Sequence, residues 1–197
     1  MSKKTILVGL GNPGNRYQFT RHNVGFMLLD HLVEQHNARW SHASEEYDHA
    51  HLSLSRVPLL LVKPQTYVNL SGNAVRTVSA QEDLSARDLL VVCDDFNLPL
   101  GTMRLRTSGG DGGHNGLLSI IEHLSTTAFA RLRIGIGPLP PGLDPADFVL
   151  EAFEEEELKV LRKTVRNATR CVETYLESGI QQAMSRFNTR LDPPESD

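Results

Sequence analysis

Residues 5–14 read TILVGLGNPG, an apolar run that stops at a glycine-rich loop. The first four residues are aliphatic or β-branched, which predicts a short buried strand, and the next six predict the loop that follows it. Apolar side chains then return at helical spacing over residues 24–32, which predicts the first helix. A buried strand, a loop and a helix in this order are typical of the start of an α/β fold.

The same alternation continues along the rest of the chain. Strands are predicted at 49–54 and 59–62, which form a hairpin around 56–58, and at 89–93, 102–106 and 131–136. Helices are predicted at 71–78, at 117–124, after Asp144-Pro145, from Leu158 to just before Gly179, and at 180–187. We therefore predict one α/β domain over residues 1–190, followed by a disordered tail at 191–197. Its sheet is expected to be mixed, largely parallel and twisted, with helices on both faces.

Bulk properties argue against several classes of protein. The chain has 197 residues, and its 40% hydrophobic content is enough for the core of one domain. No stretch approaches the roughly 18 apolar residues of a membrane span, so we expect neither a membrane segment nor an export signal. The two cysteines lack metal or redox spacing, which indicates a reduced, cytoplasmic protein. A net charge of −4 neither supports nor excludes an RNA substrate, because basic side chains can cluster locally.

Gly9, Gly11 and Gly14 match the GxGxxG spacing of dinucleotide-binding folds. A pyrophosphate site needs the helix to begin at the last glycine, so that its first N–H groups point at the phosphates. Here the helical pattern begins only about ten residues later, and no acidic residue ends a second strand near position 30. The glycine spacing alone therefore does not predict a dinucleotide site.

His22 and Asp94 are candidates for chemistry because both follow predicted strands. In α/β sheets ligands gather at the carboxyl ends of the strands, where such residues can meet. Each also has a plain structural explanation. His22 would be an exposed residue at a helix start that Thr20 or Asn23 caps, and Asp94 would be a surface carboxylate or a cap.

The remaining candidates lie in later loops and strands. Asn69 precedes a predicted helix and is explained equally well as a cap, and Asn115 as a turn former. The glycines of residues 109–116 supply permissive backbone and N–H donors that suit a phosphate or an oxyanion. Arg106 and Arg133 lie on separate predicted strands, where either is also explained as a solvated surface residue.

Taken together, five ordered motifs resemble the bacterial-type peptidyl-tRNA hydrolases over about residues 5–190. The motifs are GLGNPG (9–14) with TRHNVG (20–25), KPQTYVNLSG (63–72), DD (94–95) with LPLG (98–101), GGHNGL (112–117) and RLRIGIG (131–137). The resemblance implies an esterase that separates a peptide from the 3′-terminal ribose of tRNA. It further implies that the acceptor stem and 3′ end of peptidyl-tRNA are its partner, that it needs neither cofactor nor metal, and that it is a monomer.

The resemblance also implies roles for individual residues. His22 would be the general base that activates water, since imidazole titrates near neutral pH, and Asp94 would fix its tautomer. Asn115 would donate to the oxyanion or position the water. No serine or cysteine nucleophile is evident, so direct attack by water is expected.

Other matched positions would bind the substrate. The substrate-binding set is Asn12, Tyr17, Tyr67, Asn69 and Asn115, together with His114 as a contact on the tRNA side. Amide side chains offer a donor and an acceptor, so the asparagines can hold a peptide backbone without reading its side chains. Arg106 and Arg133 would clamp a tRNA phosphate.

The sequence departs from the family's usual residues at a few positions. Val68 stands where methionine is common, Asn97 where aspartate is common, and Arg106 where lysine is frequent. Asp111 stands where histidine or a small residue is common, and it adds negative charge to a loop expected to face RNA. None of these departures removes an expected catalytic residue.

Two other classes of protein remain open at this point. A metallohydrolase could use His22, His114 and Asp94 as ligands, although no HxxxH or HxH spacing supports it. A non-catalytic RNA-binding relative is the second alternative, since plant members of this fold family serve in intron splicing. The complete set of expected site residues favours the enzyme.

Overall fold

The computed structural model describes residues 4–188, except for the side chains of residues 43 and 44. One seven-stranded sheet runs through the domain in the order β2-β3-β4-β1-β5-β7-β6. Its strands are β1 (Thr5–Gly9), β2 (Ser41–Ser44), β3 (Tyr47–Leu54), β4 (Val57–Pro64), β5 (Leu89–Pro99), β6 (Met103–Arg106) and β7 (Ala130–Gly137). The helices are α1 (Val24–Gln35), α2 (Ser71–Gln81), α3 (Asn115–Leu124), α4 (Pro145–Leu150), α5 (Glu155–Ser178) and α6 (Ile180–Phe187).

The centre of the sheet is parallel and its two margins are antiparallel. β1 pairs in parallel with β4 and β5, and β5 pairs in parallel with β7. The hairpin β3–β4, the outer strand β2 and the outer strand β6 pair in antiparallel fashion. The predicted mixed α/β sheet is confirmed, and the carboxyl ends of the parallel strands meet at one edge.

Helices cover both faces, because successive side chains of a buried strand point in opposite directions. Leu7, Leu61 and Leu132 belong to a core that α1, α5 and α6 cover. Ile6, Val8 and their neighbours on the other face pack under α2 and α3. Cys93 and Cys171 are buried free thiols, as expected, and burial raises the pKa of Cys171 to about 12. Within residues 4–188 there is no helix with the length and apolar character that crossing a membrane requires.

Several predicted boundaries were wrong. The hairpin turn consists of Ser55 and Arg56 alone, with φ of 52° and 63°, and Val57 and Pro58 already pair in the sheet. Such a two-residue turn suits the twist of a hairpin. Strand β2 was not predicted, because an edge strand of serine, histidine and alanine carries no apolar alternation. The predicted tail at 191–197 lies outside the described residues.

The largest correction concerns β5, which continues to Pro99 instead of ending at Cys93. On one side β5 stays paired with β7, where Asp94 lies opposite Ile134. On the other side β1 has already ended, since its last partner on β5 is Val92. The charged residues interrupt the apolar pattern but not the ladder of backbone hydrogen bonds, so Asp94 lies within the strand.

Gly25 allows α1 to begin in direct contact with this edge of the sheet. A Cβ atom on Gly25 would lie 2.5 Å from the Leu10 nitrogen and 2.7 Å from the Val92 carbonyl oxygen. Both neighbours are backbone atoms and have little room to move. The close approach brings the turn before α1, Arg21–Asn23, against the end of β5.

We predict that Gly25→Ala lowers the free energy of unfolding by about 1–3 kcal/mol through overpacking. Helix propensity alone favours alanine by about 1 kcal/mol, so a loss of stability separates the two effects. The measurement is urea unfolding followed by circular dichroism. Gly110→Ala is the control, because its added Cβ meets no atom within 4 Å, and it is expected to shift stability by no more than about 0.5 kcal/mol. A stabilised Gly25→Ala protein would contradict the prediction.

Candidate active site

His22 and Asp94 form a buried pair at the carboxyl edge of the sheet. His22 lies in the turn Arg21–Asn23, and its ring Nδ1 is 2.7 Å from Asp94 Oδ1. The two residues are 7% and 4% exposed. The alternative explanation, an exposed His22 at a helix start capped by Thr20 or Asn23, is therefore wrong. His22 is buried, and neither of these residues caps the helix with its side chain.

His114 contacts the same carboxylate oxygen. Its Nε2 is 3.0 Å from Asp94 Oδ1, and its Nδ1 accepts from the backbone N–H groups of Gly116 and Leu117 at 3.1 and 3.3 Å. An imidazole nitrogen that accepts two N–H groups carries no proton, so the proton is on Nε2 and is donated to Asp94. His114 is thus buried and caps α3, and its expected contact on the tRNA side stays a prediction.

The pair of imidazoles sets the protonation states of the site. Burial alone would raise the pKa of Asp94, but His22 and His114 hold it well below its ordinary value of 3.8. Burial lowers the pKa of His22, and the charge and hydrogen bond of Asp94 raise it by more, so the net pKa lies above 6.5. Asp94 is therefore ionised, and its negative charge favours the protonated form of the His22 ring.

The unprotonated nitrogen of neutral His22 is available to a reactant. Because Nδ1 donates to Asp94, the lone pair is on Nε2, which makes no hydrogen bond within residues 4–188. A cavity of about 220 Å³ opens at this residue. The sequence-predicted residues that line it are His22, Asp94, His114, Asn115 and Arg133, and they share it with residues 95–96, 112–113, 144–146 and Val149.

Asn12 joins two loops and does not line this cavity; it lines a separate hollow of about 280 Å³ together with Asn23 and Lys63. Its backbone N–H donates to Asn23 Oδ1 at 2.8 Å, and its carbonyl accepts from Asn23 Nδ2 at 2.9 Å. Its own side-chain Oδ1 accepts from the Val68 N–H at 3.0 Å. The Asn23 side chain therefore anchors the loop of residues 9–14 through two hydrogen bonds and does not cap the helix. The Asn12 amide nitrogen keeps its donors, since it has no hydrogen-bond partner among the described residues.

Asn69, Tyr67 and Tyr17 do not line the 220 Å³ cavity. Asn69 is exposed, and Tyr67 is 53% exposed in the segment before α2. Tyr17 is half-buried under the guanidinium of Arg16, which lies 4.5 Å from its ring centre. A Cβ on Gly116, the residue after Asn115, would lie 2.9 Å from Val68, the residue before Asn69. The loops that carry the three asparagines are therefore neighbours.

Arg133 is already engaged by protein groups. Its guanidinium donates to Asp95 Oδ2 at 3.1 Å and to the carbonyls of Gly110 and Asp111. These contacts hold the second glycine-rich loop, residues 109–116, over the cavity. Arg106 is exposed and lies opposite Arg131 in the β6–β7 register rather than opposite Arg133.

The direct neighbour of Arg133 is Arg104, which the sequence analysis missed. The register pairs Arg104 with Arg133, and residues 104 and 106 point to the same face of β6 because side chains alternate along a strand. The two-residue period of β6 is the signal that could have found Arg104.

Comparisons with known proteins identify the family. A family model described as peptidyl-tRNA hydrolase matches residues 6–195. The chain belongs to the peptidyl-tRNA hydrolase family. Proteins named peptidyl-tRNA hydrolase from Pseudothermotoga lettingae and Bacillus subtilis are 45% and 40% identical, and the alignments cover 93% and 94% of this chain and 96% and 99% of theirs. The crystal structure of peptidyl-tRNA hydrolase from Acinetobacter baumannii superposes with a TM-score of 0.88 at 32% identity and 96% coverage of both chains.

This membership confirms the enzyme class that the sequence motifs predicted. The hydrolase also contains a contact that the motifs did not predict. Arg21 is buried, pairs with Glu157 at 2.9 Å, and lies over the rings of Phe148 and Phe153. It therefore ties the His22 turn to α4 and α5.

The metallohydrolase alternative finds its three residues together. The ligand atoms of His22, Asp94 and His114 lie within 4.8 Å of one another. However, the Nε2 that His114 would offer to a metal carries a proton, because its Nδ1 accepts the two N–H groups of α3. Hydrogen bonds engage both ring nitrogens of His114 and join His22 Nδ1 to Asp94, which favours a hydrogen-bonded site over metal coordination.

We predict that an NMR titration of the His22 ring gives a midpoint above 6.5, because the Asp94 carboxylate stabilises the imidazolium. In Asp94→Asn this charge is lost and burial acts alone, so the midpoint should fall below 6.5. The His22 signal is assigned by its disappearance in His22→Ala. An unchanged midpoint in Asp94→Asn would contradict the electrostatic role of the carboxylate.

Proposed function

We propose that this hydrolase cleaves the ester bond of peptidyl-tRNA with a water molecule that His22 activates. It would release free tRNA and peptide in the cytoplasm and return tRNA from stalled or aborted translation, and it would act as a monomer. The observation that carries the proposal is the pair of His22 and ionised Asp94, with the His22 Nε2 open to a cavity. The family's name supplies the substrate class.

In the proposed reaction, His22 Nε2 takes a proton from water as the water oxygen bonds to the ester carbonyl carbon. Asp94 accepts from Nδ1–H and stabilises the imidazolium that forms. The C–O bond to the terminal ribose then breaks, and the imidazolium returns the proton to the ribose oxygen. One water is consumed, and the products are a carboxylic acid and a ribose hydroxyl.

His114 has a supporting role in this proposal. It donates to the same oxygen as His22 and fixes the carboxylate from the side of α3. Asn115 follows it as the first residue of α3 and lines the cavity, where its amide would donate to the developing oxyanion or hold the water.

The remaining matched residues would bind the two halves of the substrate. Asn12 and Asn69 would pair with the peptide backbone, and Tyr17 and Tyr67 would contact the substrate nearby. Arg133 and Arg106 would bind a tRNA phosphate. Because Asp95 already pairs with Arg133, the phosphate would share this guanidinium with the carboxylate, while Arg106 has no ion-pair partner among the described residues.

We predict that His22→Ala lowers turnover by roughly 10²–10⁴-fold, because a positioned general base contributes about that much. Binding of uncleaved peptidyl-tRNA should persist. Asp94→Asn should be less damaging, since it disturbs the base without removing it. In the wild type the rate should fall as pH drops through the raised pKa of His22, because imidazolium cannot accept a proton.

The assay is release of an N-blocked amino acid from charged tRNA. His51→Ala is the control, because His51 is an exposed imidazole on β3 outside the cavity. Half of wild-type turnover in His22→Ala would exclude this residue as the base. Loss of activity on addition of a chelator would support a metal mechanism instead.

The hydrolase is predicted to cleave N-acylated aminoacyl-tRNA and to spare the same tRNA with a free amino group. The carboxylates that line the cavity are already engaged: Asp94 by two imidazoles, Asp95 by Arg133, and Asp144 by the Ala146 N–H. Beside His22, a protonated amino group would have to compete with the donors that already hold Asp94 and Asp95, which costs several kcal/mol unless water remains. An acylated nitrogen is a neutral amide that asparagine can bind.

For this test, one tRNA is charged, half of the sample is acetylated, and initial rates are compared at equal concentration. Equal rates would indicate a general aminoacyl-ester hydrolase.

A further inference from the structure

A second basic surface lies between α1 and α5, away from the active-site cavity. A hollow of about 540 Å³ there, the α1–α5 groove, is lined by His31, Gln35, Lys163, Arg166, Asn167, Thr169, Arg170 and Glu173. The three cations Lys163, Arg166 and Arg170 are exposed. None of them takes part in an ion pair with another residue of the range 4–188.

The spacing of these cations follows from the helix. Lys163, Arg166 and Arg170 are three and four residues apart, which places them on one face at intervals of about 5–6 Å. One carboxylate, Glu173, lies at the C-terminal end of the row. The groove is therefore cationic along its length, although the whole chain has a net charge of −4.

The lining chemistry distinguishes among possible occupants. All eight lining residues are polar or charged. Protein partners bind through an apolar centre, and helices that lie on membranes insert an apolar face. Phosphate backbones, by contrast, are held by arginine and lysine together with neutral amides, and Gln35 and Asn167 provide such amides at the rim.

The groove is separate from the proposed phosphate clamp. α1 and α5 cover the face of the sheet that Leu132 and Ile134 enter. Arg133 lies between these two residues on β7 and points to the opposite face. A straight RNA stem on one of the two surfaces therefore does not lie on the other.

We infer that the α1–α5 groove binds the phosphate backbone of a second RNA segment, distinct from the acceptor stem at the active site. This binding does not depend on which group activates water. Lys163, Arg166 and Arg170 neutralise consecutive phosphates, and Glu173 marks the end of the contact.

The probe is a labelled RNA duplex of about 20 base pairs without a 3′ overhang, titrated with the full chain across a series of salt concentrations. In Arg166→Glu/Arg170→Glu we expect affinity near 0.1 M salt to fall roughly 10–100-fold and the log–log salt slope to decrease by about two units. Arg76→Glu is the matched control, an exposed arginine on α2 outside the groove, and should leave both quantities near the wild-type values.

Two further variants keep the result decisive. Arg166→Gln/Arg170→Gln removes the charges without adding repulsion and should show the same slope change. Arg106→Glu/Arg133→Glu alters the proposed clamp on the other face.

Hydrolysis of an N-acetylaminoacyl ester of a short 3′ oligonucleotide should be unchanged in the groove variants, which verifies their fold. Failure of the wild type to cleave this ester would contradict the proposed function and leave the RNA-binding comparison intact.

If the groove variants bind the duplex as Arg76→Glu does, or if only the clamp variants lose affinity, the inference is wrong. Displacement of the RNA by polyglutamate at equal charge concentration would assign the groove to an acidic protein partner and would also overturn it.

Discussion

The site depends on one buried anion. Asp94 is almost fully enclosed, and a carboxylate in such a place is ionised only if donors surround it. Two imidazoles donate to the same oxygen, His22 from the turn before α1 and His114 from the start of α3. The two rings lie 4.9 Å apart. Three distant segments must therefore meet within hydrogen-bonding distance, and much of the surrounding structure serves this requirement.

Each segment is fixed by contacts that leave little freedom. Asp94 is held by the β5–β7 ladder, which continues past the end of β1. His22 is held by the close approach at Gly25 and by Arg21, whose guanidinium is enclosed by Glu157 and two aromatic rings. His114 cannot rotate without exposing the first N–H groups of α3. In the proposed reaction, a general base anchored in this way would need little reorganisation when the reaction begins.

Charge is distributed so that a mildly acidic chain presents basic surfaces. The acidic run at the start of α5 lies where the helix dipole favours carboxylates, and Glu154 and Glu157 form a capping box there. The cations are placed further along α5 and on the β6–β7 margin. Within the site, Arg133 is held by Asp95 and by carbonyls of the loop of residues 109–116. This loop and the proposed clamp therefore share one guanidinium. A phosphate bound at the proposed clamp would therefore be physically linked to the position of the loop of residues 109–116.

The sequence by itself determined the fold class, the order of every helix and strand except β2, and the family. Apolar periodicity indicates which residues enter the core. The residues that start helices and the glycines that end them are local features of the sequence. Predictions from periodicity were wrong at Asp94, where a strand continues through charged residues because its backbone stays paired. They were also wrong in β2, where an edge strand has no apolar pattern. The family motifs named His22 and Asp94 as partners, but they did not predict that His114 donates to the same carboxylate.

Only the tertiary structure decided how these residues meet. Residues from different segments of the chain meet at the shared oxygen of Asp94, in the hydrogen bonds between Asn12 and Asn23, and in the register that pairs Arg104 with Arg133. No local pattern specifies such contacts. The tautomer of His114 is set by the N–H groups of α3, and the raised pKa of His22 results from the balance between burial and the Asp94 charge. Burial and hydrogen bonding are properties of the packed fold, which is why residue identity alone could not determine the chemistry of the site.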